Sequence, residues 1–377
     1  MRPVQSLLFA LVVSLAAACT SWQPVETREA WTLYTKPGYT VDIACFARAL
    51  EPAFVAVEER MGPFRKNVRI HALAEAAEGG LEAEAQFETV PGIGPARVRA
   101  FHVRATANPF QSGGVFLECA DTGAAVHELV HARVAEEGVK LPLWFEEGLA
   151  QFYGDGAVYE DRWYVDGLCC WPLRELREER LSDTDLERLL AVRGSDSAPS
   201  RDNLLVHFIG WAIVFDLARE APNAAWHQWY DAWRADDSTA AARARIERTI
   251  ADRSHVDWLK RLDDEDPGVR FATAKGTWKL RSASAAERLL ARLDDEEEPT
   301  VRFALALNVL ITGGEARLSG RQWGRFGRLV FSTLRSANLA DPAEAQSLEL
   351  VRRALRGRTS KAESDRAFDG LARYWDE

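Results

Sequence analysis

Two imidazoles one helical turn apart, with a carboxylate beside the first, occur at His127-Glu128-Leu129-Val130-His131. On an α-helix, residues four apart share a face, so both rings can reach a single ion. Glu128 lies next to that face and can approach a water on the ion without ligating it. Zinc lowers the pKa of its bound water toward about 7, within reach of a carboxylate base. The spacing therefore points to hydrolysis assisted by one Zn2+ ion, with His127 and His131 as ligands and Glu128 as general base. The plainer reading, two surface histidines on an amphipathic helix, fits poorly because Val126, Leu129 and Val130 make that turn apolar. Such a metal also needs a third protein ligand and an open fourth position.

The next apolar segment, Leu141-Pro142-Leu143-Trp144-Phe145-Glu146-Glu147-Gly148-Leu149-Ala150-Gln151-Phe152-Tyr153, carries two adjacent carboxylates. With the first motif it resembles the gluzincins, the zinc peptidase clan that includes aminopeptidases and thermolysin-like enzymes. In that clan His-Glu-x-x-His is followed by a helix of the form Trp-Leu/Phe-x-Glu-Gly-x-Ala, whose glutamate binds the metal. The resemblance puts the third ligand at Glu147, directly before Gly148, and not at Glu146. Gln151, one turn further on, is a candidate to hydrogen-bond that carboxylate and hold it, whereas Glu146 has Ala150 there.

This likeness runs from residue 31 to about residue 220 and is nearest to the small bacterial peptidase-MA-like domains of the clan. It lacks the Gly-x-Met-Glu-Asn strand of the large aminopeptidases and has a shorter spacer, so recognition of a free amino terminus is not implied. The clan's chemistry further implies a Tyr or His that stabilises the oxyanion, with Tyr159, Tyr164 and His207 as candidates. His207, on an apolar helix, also reads as a packed core histidine. The strand Val115 to Glu118 is a candidate for edge pairing with extended substrate.

Strands come early and helices follow, so an α+β fold is expected. Trp31 to Val41 reads as a strand pair about the Lys36-Pro37-Gly38 turn. Asp42 to Met61 follows a helical period through Phe46, Leu50, Phe54 and Val57. Asn67 to Leu73, Ala96 to Ala105 and Gly114 to Glu118 alternate like strands, and Glu75 to Gly94 reads as an exposed excursion. Asp121 or Thr122 is a candidate cap for the zinc helix, which Gly138 closes. Residues 155 to 172 read as an irregular cover, and Asn203 to Arg219 as a buried helix.

Beyond residue 235 the texture changes. Leu262-Asp263-Asp264-Glu265-Asp266-Pro267-Gly268-Val269-Arg270-Phe271-Ala272 recurs as Leu293-Asp294-Asp295-Glu296-Glu297-Glu298-Pro299-Thr300-Val301-Arg302-Phe303-Ala304. The copies stand about thirty residues apart, a helical-repeat period, and resemble HEAT-type repeats. A helical bundle reusing one turn is the alternative. The expected organisation is a signal peptide over 1–18, a tether over 19–30, a metallopeptidase domain over 31–235 and a helical-repeat region over 236–377. The repeats would offer a concave surface to a protein partner or to the substrate.

With 377 residues, 47% hydrophobic and 28% charged, the chain has material for a sizeable core. A net charge of -10 disfavours a nucleic-acid partner, which requires a basic face. Leu7 to Ala18 after Arg2 is too short to span a bilayer and reads as a signal peptide. Its ending, Leu15-Ala16-Ala17-Ala18-Cys19, resembles a lipobox with Cys19 as the lipidated residue, although Ala16 replaces the usual larger aliphatic. The same ending also suits an ordinary secretory cleavage. Export is expected either way, with membrane attachment only through a lipid or as a secreted soluble protein. Cys45, Cys119, Cys169 and Cys170 are candidates for disulfides in an oxidising compartment, with free buried cysteines as the alternative.

The leading expectation is a peptidase acting on peptides or proteins outside the cytoplasm. Its rivals are a surface-anchored scaffold with helical repeats and a non-catalytic zinc domain, and a zinc hydrolase acting on something other than peptides.

Overall fold

The computed structural model describes residues 23–35, 40–72, 100–103, 114–117, 122–168, 181–192, 200–251, 255, 257–280 and 282–315. These belong to two compact units, 1–140 and 141–377. The change of texture near residue 235 falls inside the second unit.

The first unit is built on a five-stranded sheet of order β1-β2-β3-β5-β4: β1 (Gln23–Thr27), β2 (Trp31–Thr35), β3 (Val68–Ala72), β4 (Ala100–Val103) and β5 (Gly114–Leu117). The β2–β3 and β3–β5 pairs are parallel, and the two outer pairs are antiparallel. Parallel neighbours need a crossover, and helix α1 (Ile43–Met61) supplies the one between β2 and β3. Asp42 caps α1 by accepting from the Cys45 N–H at 3.0 Å. Phe46, Leu50, Phe54 and Val57 of α1 are buried, as are Trp31, Leu33 and Ile70 of the sheet.

Helix α2 (Thr122–Glu137) packs on α1 and on the β4–β5 pair. Gly138, at φ 72°, ends it with the left-handed residue that glycine adopts without steric penalty. At this end the buried Arg133 donates to the Gly62 carbonyl at 3.0 Å, fixing α2 against the end of α1.

Three expectations change here. The antiparallel partner of β2 is β1, from the segment read as tether, and residues 40–42 are not a strand. Edge-strand backbone pairing needs no apolar alternation, and β1 is exposed on most positions, so its sequence carries little strand signal. The strand at 114–117 lies between β3 and β4, so its backbone is already paired on both sides and it offers no free edge. The excursion at 75–94, the turn at 36–38 and Asp121 lie outside the described residues, as do residues 1–22.

The second unit opens with α3 (Leu143–Gly154), followed by a two-stranded hairpin, β6 (Gly156–Tyr159) and β7 (Arg162–Val165). The stretch read as irregular cover is thus partly regular, and Glu160 and Asp161 take positive φ at its tight turn. Then come α4 (Asp183–Leu190), α5 (Ser200–Glu220), α6 (Trp226–Arg234) and α7 (Thr239–Ile250).

Helix α3 lies against α5, and Trp144 and Phe145 pack on Trp233 and Tyr230 of α6 at ring-centroid distances of 4.6 and 4.9 Å. Asp216, in the buried face of α5, accepts from Arg219 and from Arg245 and Arg248 of α7. Burial alone would raise its pKa, but hydrogen bonds from these guanidiniums outweigh it and hold the carboxyl below its ordinary value.

Both acidic turns of the repeated segment precede proline-opened helices, α8 (Pro267–Gly276) and α10 (Pro299–Glu315), with α9 (Ala283–Asp295) between them. Asp266 caps α8 through the Gly268 N–H at 2.8 Å, and Pro267 occupies the first turn, where its missing N–H leaves no gap. Arg270 of the first copy grips Glu296 of the second with two bonds of 2.9 Å. Among the described residues, no helix is long and apolar enough to cross a membrane. The described chain is mostly helical with a few strands, which is compatible with the expected α+β class.

Candidate metal centre

Helix α2 buries Ala125, Val126, Leu129, Val130 and Val134, which fixes its rotation about its own axis. That rotation brings the His127 and His131 rings together, Nε2 to Nε2 at 3.3 Å. Two nitrogens each bonded at 2.0–2.1 Å to a tetrahedral zinc would stand roughly 3.3 Å apart. Glu128 is only 7% exposed.

Helix α3 turns Trp144, Phe145, Leu149 and Ala150 inward, and Glu147 keeps a side chain 12% exposed. One ligand atom each from His127, His131 and Glu147 lie within 4.8 Å of one another. Among the described residues this is the group of His, Cys, Asp and Glu able to hold an ion. Two imidazoles and one carboxylate are a donor set suited to a divalent metal ion. The donors fit a metal; the identity of the metal rests on that chemistry.

Why Glu147 stands where it does is a matter of two glycines. A Cβ on Gly148 would lie 2.2 Å from the Gly210 carbonyl carbon, and one on Gly210 would lie 1.9 Å from the Trp144 oxygen. The backbones of α3 and α5 therefore touch, and no larger residue fits at either position. The close crossing also delivers His207 of α5, whose Nε2 meets Glu147 Oε2 at 2.9 Å. The imidazole can orient that carboxylate as a neighbouring hydrogen-bond partner does in metal sites.

The other expected residues have contacts of their own. Gln151 donates from Nε2 to Asp155 Oδ2 at 2.7 Å, one turn further along α3. Tyr159 packs on Phe271 of α8 at 5.5 Å, and burial together with Glu298 raises its hydroxyl pKa. Tyr164 lies against Gly268, and burial and Asp266 push its hydroxyl up likewise. Both tyrosines thus serve the contact between the hairpin and α8. Of the three oxyanion candidates, His207 is the one that reaches a member of the ligand group. Cys45 is disulfide-bonded, while Cys19, Cys119, Cys169 and Cys170 lie outside the described residues.

Sequence reasoning missed Gly210 and the buried Asp155–Lys279–Asp166 cluster. The first had a signal, a glycine in the middle of an otherwise large-residue apolar helix. The second had none, because its lysine lies more than a hundred residues along the chain from either carboxylate.

Comparison of the chain with protein-family models, with curated proteins and with solved structures finds no match.

Proposed function

We propose that this protein is an exported, gluzincin-type zinc peptidase. The observation that carries the reading is the convergence of one ligand atom each from His127, His131 and Glu147 within 4.8 Å, with the buried carboxylate of Glu128 on the turn that bears both histidines.

When bound, zinc supplies Lewis acidity toward the scissile carbonyl and makes a water acidic enough to lose its proton near neutral pH. The rest falls to side chains. Glu128 accepts that proton and returns it to the departing amine, its burial keeping competing solvent away. His207 holds Glu147 in place through its Nε2, 2.9 Å from Glu147 Oε2. Residues 1–18 act as export signal, with Cys19 as lipid anchor or, failing lipidation, as the start of a soluble secreted chain. The helices from 259 onward are proposed as HEAT-like, supported by the duplicated acidic turn and the Arg270–Glu296 link between copies.

The test is Glu128→Gln. Zinc content should stay at the wild-type level while hydrolysis of a peptide library drops by roughly 10²- to 10⁴-fold, the ordinary worth of a positioned acid–base group. Equal cleavage by both proteins removes Glu128 from the chemistry. Absence of cleavage by either, with zinc bound, favours the scaffold reading.

A further inference from the structure

Glu147 and Gln151 stand one turn apart on α3, and Asp155, four residues further on, is the residue that ends the helix. Three buried charges meet there. Lys279, which follows α8 in a 3₁₀ turn (Thr277–Leu280), is 6% exposed, Asp155 is 7% and Asp166 is 1%. Lys279 Nζ donates to Asp155 Oδ1 at 3.0 Å, to the Leu168 carbonyl at 2.7 Å and to Asp166 Oδ2 at 3.3 Å. Asp155 uses its other oxygen to accept from Gln151 at 2.7 Å. Asp166 also accepts from the Leu168 N–H at 2.7 Å, and a Cβ on Gly276 would lie 2.6 Å from it. The cluster has little freedom to move.

Its energetics are poor as a source of stability. A carboxylate at the negative end of a helix is disfavoured, and taking three charges out of water is costly. Burial pushes the Asp155 carboxyl up to about 6 against the pull of Lys279, with Asp166 adding to the rise. Apolar residues of the same volume would pack as well. What the ions add is direction, since each has one set of partners and one geometry that satisfies them.

We propose that Lys279 is a positioning residue for the metal ligand Glu147, acting through Asp155 and Gln151 to fix the axial place and rotation of α3. This rests on the reading that His127, His131 and Glu147 hold a metal. It makes the first repeat-like helix pair part of the scaffold of the metal centre, in addition to any binding surface it presents.

The test uses the full chain with zinc, competed against a chromogenic chelator, and with cobalt(II) as a spectroscopic probe. Lys279→Met keeps the stem and removes the charge, and Gln151→Leu cuts the link while leaving all three buried charges in place. Both should bind zinc roughly 10- to 100-fold more weakly, the usual effect of losing a group that orients a ligand, and should shift the visible bands of the cobalt-loaded protein. If Lys279→Met does not fold, Gln151→Leu decides. A wild type that binds zinc, with variants matching it in affinity and spectrum, overturns the positioning role alone. A wild type that takes up no zinc overturns the metal reading beneath it.

Discussion

Glu128, Glu146 and Glu147 are chemically the same side chain, and position alone separates the proposed base, a bystander and the candidate ligand. Glu146 is buried yet stands outside the ligand group, which takes Glu147 one residue on. The pattern of residues made this distinction legible, because the glutamate before Gly148 is the one that the clan's motif assigns to the metal. No such pattern announced His71, buried on β3 and stacked on Tyr34 at 5.3 Å. Burial, aided by the charge of Arg69, lowers its pKa from 6.5 to about 4. The unfolded chain therefore binds more protons than the folded one between those values, so stability rises with pH across that window. The contribution is complete above about 6.5 and is lost as pH falls to about 4, amounting to on the order of 3 kcal/mol at 1.4 per unit. Urea midpoints of metal-free protein should drop between pH 7 and 4, and His71→Phe should flatten that limb. Parallel curves for the two proteins would dismiss His71 as the cause.

At the scale of elements, the crossing of α3 and α5 does more for the candidate site than either helix alone. Gly148 and Gly210 let the two backbones touch, and Glu147 and His207 ride on the residues beside that contact. Gly210→Ala would force α5 back by on the order of 1.5 Å to regain ordinary atomic separation. We expect overpacking of about 1–3 kcal/mol in denaturant unfolding, together with weaker zinc binding as Glu147 moves off the histidines. Unchanged unfolding and zinc affinity in Gly210→Ala would show that the crossing is slack. Most elements were readable one at a time: α1, α2, α3 and α5 follow their apolar periodicity, and Gly138 stops α2 as expected. The hairpin β6–β7 and the edge strand β1 were not. Both are short, and pairing across the sheet decided their conformation, a non-local term that a linear pattern does not contain.

Across the whole molecule, the segment from Trp258 to Leu280 is stitched to the residues just after α3. Arg261 donates to the Val165 carbonyl at 2.9 Å, Lys279 to Leu168 at 2.7 Å, and Trp211 of α5 to Gly167 at 2.7 Å. A chain ending at Ile250 would keep Asp155 and Asp166 while losing their cation. Stranding buried charge in this way costs about 3–5 kcal/mol, so the shortened protein should melt far below the full chain or lose cooperative unfolding. A truncation that melts like wild type would show the two parts to be independent. The linear chain by itself determined which residues can do chemistry and which faces are apolar, because ligand spacing on a helix and hydrophobic periodicity are local properties of a regular backbone. Only tertiary structure decided that α3 and α5 meet glycine to glycine, that His207 rather than either tyrosine reaches Glu147, and that a lysine 124 residues beyond Asp155 fixes its carboxylate. Those outcomes depend on van der Waals contact and desolvated charge between segments far apart in sequence, and such forces act only once the chain has folded.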